Sequence, residues 1–228
     1  MSETAAAGEV EHLPGQRFLE DHLDLTVREM LPMMQARIVD RTSYFGIQTL
    51  KNPLDFWIYQ ELIHAVQPDV ILEIGNFRGG SLLALAHLCD LRQKGRLIGV
   101  DLEQKEISEI VRAHPRVTLL EGDAVAQSAA IRAKISPSER VLIIEDSSHT
   151  CENTLAVLRE YWDLVCPGSY FIVEDGNCHH GLDLGPFPGP YEAITEFIQE
   201  NKNFVIDRAC ESFFVTWNPR GYLRRIAS

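Results

Sequence analysis

Basic residues are scarce in this chain: 21 Lys and Arg stand against 33 Asp and Glu, a formal net charge of −12. Such a surface repels phosphate backbones and anionic lipid, so neither nucleic acid nor a membrane surface is an expected partner. Cysteine is sparse as well. Cys89, Cys151, Cys166, Cys178 and Cys210 are odd in number, scattered, and contain no CxxC pair, which argues against a disulfide framework and against a zinc–thiolate site. No apolar run approaches the roughly 18 residues of a membrane span. The opening MSETAAAGEVEHLPG has no basic region followed by an apolar core, so no signal peptide is expected and the cytoplasm is the simplest location. Internal repeats, low-complexity tracts and interdomain linkers are also missing.

What is present, 228 residues of which 45% are hydrophobic, suffices for one well-packed α/β domain. Residues 1–15 read as a loose tail. Apolar positions between 18 and 38 predict a helical arm interrupted at Pro32. A loop-like stretch, TSYFGIQTLKNP (42–53), precedes an amphipathic helix over 54–66. The expected division is therefore tail, arm and loop over 1–53 and a single folded domain over 54–228.

In that domain, VILEIG (70–75), RLIGVD (96–101), VTLLEG (117–122), VLIIED (141–146) and SYFIVED (169–175) alternate with helix-length segments. This is the pattern of a parallel sheet covered on both faces. Residues 204–209 and 213–217 are separated by only three residues, which predicts an antiparallel hairpin. Five parallel strands closed by such a hairpin is the Rossmann-like layout of the class I methyltransferases that use S-adenosyl-L-methionine (SAM).

Ligands of open α/β sheets bind at the carboxyl ends of the strands. Here the first strand ends in Glu73-Ile74-Gly75-Asn76-Phe77-Arg78-Gly79-Gly80-Ser81. Phe77 stands where a dinucleotide fingerprint needs glycine, so GxGxxG is broken and the turn suits a ligand without pyrophosphate, such as SAM. The alternative is a purely structural turn. Asp101, at the end of the second strand, is placed to accept ribose hydroxyls, and Asp123, after the third, to meet an adenine amino group. Each alone could equally cap a helix. Tyr44 in the 42–53 loop is a candidate to close over the cofactor.

The fourth and fifth strands run into Glu145-Asp146-Ser147-Ser148-His149 and Glu174-Asp175-Gly176-Asn177. Carboxylates converging from neighbouring strand ends repel one another, and a hard divalent cation, Mg²⁺ before Mn²⁺ or Ca²⁺, resolves the conflict. The alternatives are helix caps or arginine pairs. His149 is the first candidate for a general base that takes the acceptor's proton. His179 and His180, in a Gly/Pro-rich loop, are the others.

Several stretches, LKNPLDFWIYQELI (50–63), LEIGNFRGGS (72–81), IEDSSHT (144–150), PGSYFIVEDG (167–176), GPYEAITEF (189–197) and TWNPRGYLRR (216–225), resemble the cephalosporin hydroxylase/rhamnosyl O-methyltransferase family. The resemblance runs from about residue 42 to 225. It implies SAM and Mg²⁺ as cofactors, metal ligation by Asp146, Glu174 and Asp175, and SAM contacts from Glu73, Asp101 and Asp123, with Asp146 between the two sites. It further implies homodimers or higher assemblies and a sugar hydroxyl as acceptor, as in methylated-polysaccharide synthesis. Antibiotic tailoring, a hydroxylase component and a catalytically silent SAM-binding subunit are the competing expectations.

Overall fold

The computed structural model describes residues 18–226; the tail expected over 1–15 lies outside them. A single turn of 3₁₀ helix (Leu19–Asp21) leads to α1 (Val27–Arg41). Helix α1 opens with a capping box in which Thr26 and Glu29 satisfy each other's backbone N–H groups. The interruption expected at Pro32 does not occur, because Pro32 lies inside α1. One proline removes one backbone hydrogen bond, and the Thr26 cap helps hold the turn before it. The 42–53 stretch is also more ordered than a loop. Its strands β1 (Ser43–Tyr44) and β2 (Ile47–Gln48) pair antiparallel around Phe45-Gly46. Helix α2 (Pro53–Val66) follows, with Asn52 accepting from the Leu54 N–H and proline at the first turn.

The main sheet contains β3 (Val70–Ile74), β4 (Arg96–Asp101), β5 (Val117–Glu121), β6 (Val141–Glu145), β7 (Tyr170–Val173), β8 (Phe204–Ile206) and β9 (Tyr222–Arg225). Its spatial order is β5-β4-β3-β6-β7-β9-β8, with the first five parallel and β9 antiparallel to both neighbours. The α/β class I layout is therefore the one observed, but the closing hairpin is built differently from the expectation. Residues 213–217 form no strand. A 3₁₀ turn (Arg208–Glu211) and an irregular stretch intervene, and β8 pairs with β9 instead. Phe213 and Phe214 point outward, while Val215 and Trp217 pack against Ile38 and Leu182, so the run is tied down by its side chains rather than by strand pairing.

Alternate residues of the central strands serve opposite layers. Val70, Leu72 and Ile74 of β3 pack towards α6 (Cys151–Tyr161) and α7 (Pro190–Glu200), in one core with Leu155, Leu158, Ile194 and Phe197. Ile71 joins α2 and α3 (Gly80–Leu91) through Ile58, Ile63, Leu82 and Leu85. Short helices α4 (Glu109–Arg112) and α5 (Ser128–Arg132) flank β5. The alternation sends Glu73 to the α2–α3 layer and Glu145 to the α6 layer, where Thr154 donates to it. All five cysteines are free thiols. Among the described residues no helix is long and apolar enough to cross a membrane.

Candidate active site

The carboxyl ends of β3, β4, β6 and β7 open into one cavity of about 510 Å³, within the range of small-molecule sites. Two glycines shape it. At Gly75 (φ +90°) a Cβ would stand 1.9 Å from the Asp146 carbonyl oxygen, so the β3 and β6 exits touch backbone to backbone. At Gly80 a Cβ would meet the carbonyls of Ile47 and Gln48 at 2.8 and 2.9 Å. The absence of that atom lets the β2 segment lie on the start of α3 and present Gln48, Thr49, Leu50 and Lys51 to the cavity.

On the β4–β5 side, Asp101 accepts from the backbone N–H groups of Asn76 (2.7 Å) and Phe77 (3.0 Å) through Oδ2. Phe77 holds a left-handed φ of 48°, which helps aim those amides. Asp123 also lines the cavity, and its Oδ1 accepts from the Ala126 N–H at 2.8 Å: the capping role is realised and the cavity position is retained. Gly75, Asn76, Gly80 and Ser81 line the same wall; Gly79, Glu73 and Tyr44 do not. Gly79 supplies the αL residue before α3. Glu73 is wholly buried under Lys51, 3.4 Å from its ammonium. Tyr44 turns to His87 (3.1 Å) and lines a separate, smaller cavity.

On the β6–β7 side, one ligand atom each from Asp146, His149 and Asp175 lie within 4.8 Å of one another. His149 Nε2 is 3.3 Å from Asp175 Oδ2 and 4.0 Å from Asp146 Oδ1. His149 and Asp175 both adopt left-handed backbone (φ 57° and 54°), conformations that disfavour residues with a Cβ and recur at functional sites. The turn at Asp175 separates it from Glu174. Glu174 continues the β7 alternation into the α2 layer, where it is buried and accepts from Lys51 Nζ. Asp146, Glu174 and Asp175 are thus brought together as one acidic group, but His149, rather than Glu174, completes the convergent trio.

Electrostatics agree with crowding. Burial pushes Asp146 and Asp175 up to about 6 and Glu174 up to about 7, with the neighbouring carboxylates adding to the rise and the cations of Lys51 and His149 opposing it. Burial pulls His149 down, yet the charges of Asp175 and Asp146 outweigh it and hold the imidazole above its ordinary value. His149 Nδ1 and the buried Asn177 Nδ2, both on the cavity wall, have no hydrogen-bond partner among the described residues. Such orphaned atoms need a ligand or water. Two crowded, buried carboxylates, Asp146 and Asp175, beside an imidazole with one unpartnered nitrogen fit a divalent cation with a base next to it.

His179 and His180 are not part of this cluster. His179 faces the Gly185 carbonyl (3.2 Å), and His180 pairs with Glu192 (2.6 Å) and stacks on Tyr191. Further parts of the cavity wall come from Gln35 and Val39 of α1, Leu182, Pro186 and Trp217. Lys51 is the residue that sequence reasoning passed over. Its signal was a lone basic residue immediately before the Asn-Pro start of α2, in a chain whose acid motifs lacked a countercharge.

Comparison with known proteins adds a lineage to this geometry. The model of the rhamnosyl O-methyltransferase/CmcI family matches residues 36–226. A rhamnosyl O-methyltransferase of Mycobacterium bovis is 32% identical over 194 residues, covering 81% of this chain and 78% of the relative. One from Mycobacterium leprae is 30% identical over 191 residues, covering 81% and 83%. Among solved structures, CmcI described with Mg and SAM aligns with a TM-score of 0.64 at 22% identity, covering 82% of this chain and 77% of that one. An O-methyltransferase from Bacillus cereus in complex with SAH, the demethylated cofactor, gives 0.54 at 20%, covering 82% and 86%.

Proposed function

The chain belongs to the rhamnosyl O-methyltransferase/CmcI family, and from that premise we propose that it is a SAM-dependent, divalent-metal-assisted O-methyltransferase acting on a sugar hydroxyl, a rhamnosyl unit in the first instance. One observation carries the reading: Asp101 at the end of β4 and the Asp146–His149–Asp175 trio open onto the same cavity. The names of the relatives supply the acceptor class, and a CmcI structure described with Mg and SAM supplies the cofactor pair.

SAM would supply the electrophilic methyl group, and a divalent ion would lower the pKa of the acceptor hydroxyl. The chain's own residues do the rest. Asp101, fixed by two backbone amides, and Asp123 would hold the adenosine end of the cofactor, at its ribose hydroxyls and adenine amino group. Gly75 and Gly80 leave room for close backbone approach. Asp146 and Asp175 would hold the cation, with Glu174 shaping the site from behind. His149, 3.3 Å from Asp175, receives the proton released by the hydroxyl, oriented by that carboxylate. Gln35, Val39, Leu182 and Trp217 exclude water from the acceptor and position it, which is where most of the rate enhancement arises. One histidine with two carboxylates does not make the two-histidine facial triad of non-haem iron oxygenases, which disfavours a hydroxylase role.

The test is transfer of labelled methyl from SAM to rhamnosides, other glycosides and catechols, with and without EDTA. Transfer to rhamnosides that stops in EDTA and returns with Mg²⁺ is expected. Transfer indifferent to EDTA removes the metal from the reading, and preference for catechols removes the sugar. In the same reading the enzyme works in the cytoplasm and self-associates. Exposed Phe45, Trp57 and Phe214 support association, which light scattering after gel filtration would check.

A further inference from the structure

Lys51 is only 6% exposed, and its ammonium sits inside the acid cluster. It lies 2.6 Å from Asp146 Oδ2 and 3.4 Å from Glu73 Oε1, and it donates to Glu174 Oε1. Neither oxygen of the fully buried Glu73 has a hydrogen-bond partner among the described residues, so Lys51 is the cation that faces it. The backbone around Lys51 is pinned. Asn52 caps α2, and buried Asp55 accepts from Asn52 Nδ2, the Trp217 N–H and the Tyr222 hydroxyl at 2.8 Å each. The stem of Lys51 is thereby anchored beside the carboxylates.

This arrangement divides Asp146 between two cations. Oδ2 faces Lys51 from inside, while Oδ1 faces His149 and Asp175 on the cavity side. Glu174 is taken up from the inner side. We propose that Lys51 is a built-in competitor of the divalent ion: a positioning residue that fills the inner half of the carboxylate cluster, withholds Glu174, and lowers the affinity with which the outer half binds metal. A fixed positive charge one carboxylate away from a divalent ion repels it with little screening in a buried site. The consequence is a metal held weakly enough to exchange, rather than one locked in place.

The proposal rests on the metal reading above, and the experiment separates the two. Binding of Mn²⁺ at pH 8 is followed by the electron paramagnetic resonance signal of the free ion in wild type, Lys51→Met and Lys51→Gln, with no cofactor or acceptor present. Both variants are expected to bind Mn²⁺ at least tenfold more tightly than wild type, and to gain more melting temperature on its addition. A residue that merely supported the fold would change affinity in the opposite direction. Equal or weaker binding in the variants overturns the Lys51 proposal. Wild type that binds no Mn²⁺ overturns the metal reading alone, since variants that acquire binding would still identify Lys51 as the occupant of a cation site. If neither variant folds without an ion, refolding on Mn²⁺ addition supports the proposal and failure to refold overturns it.

Discussion

The two halves of the cavity use the same residue type in opposite ways. On the β4–β5 side, Asp101 and Asp123 are each satisfied by backbone amides. On the β6–β7 side, Asp146, Glu174 and Asp175 face one another, a lysine and a histidine. The first half is organised by hydrogen bonds made within a few residues or across one strand end. The second is organised by charge brought from the segment between β2 and α2, from β6 and from β7, and it is frustrated unless cations are present. A carboxylate held by amides is a ready-made acceptor for hydroxyls. Carboxylates held against each other are a cation trap.

The contrast predicts separable defects. Asp175→Ala should reduce turnover by about 10³-fold, the scale of the several kcal/mol a Lewis-acid ion supplies, while SAH affinity by calorimetry stays within about threefold. A collapse of SAH binding would show that the two halves are one site. His149→Ala should lose about 10²-fold in rate, along with the rise of rate with pH that deprotonation of a general base imposes. A variant that keeps that limb of the pH–rate profile moves the base elsewhere.

The mirror experiment is Asp101→Ala. Losing an acceptor that anchors two amides should weaken SAH binding by about ten- to a hundredfold, with Mn²⁺ affinity unchanged; a parallel fall in Mn²⁺ affinity would break the comparison. The smallest effect is thermal. In EDTA, the folded chain keeps protons on Asp146, Asp175 and Glu174 up to about pH 6 to 7, whereas the unfolded chain releases them near 4. The native state then binds more protons, so stability must fall as pH rises through that window. A melting temperature that drops by several degrees between pH 5 and 7.5, and is flattened by saturating Mg²⁺, is the expected record. A flat profile in EDTA would mean the acids are already compensated.

The same contrast explains which parts were legible from residue order. Buried parallel strands announce themselves as short apolar runs, so β3 to β7 could be read, as could the acids that end them. Residues 213–217 carry the composition of a strand without one: Phe213 and Phe214 are exposed, and β9 (Tyr222–Arg225) takes the pairing. Pro32 reads as a break only if local propensity decides. Asp101 was legible because its partners follow from strand-end geometry. Glu174 and Asp175 looked alike because adjacency in sequence hides that alternation and one left-handed residue send them apart. Lys51 lies 95 and 123 positions from the acids it neutralises, a separation that no local pattern encodes.

The backbone contact between Gly75 and Asp146 bears on how such an enzyme can diversify. With 1.9 Å between a would-be Cβ and the Asp146 carbonyl, even alanine at 75 must displace the strand exit that carries Asp146. Mutational drift at that one position is closed, while the cavity wall of Gln35, Val39, Leu182 and Trp217, proposed above to hold the acceptor, belongs to α1 and the late loops, outside the junction. New substrate preferences can therefore accumulate on one side of the cavity without reopening the joint on the other.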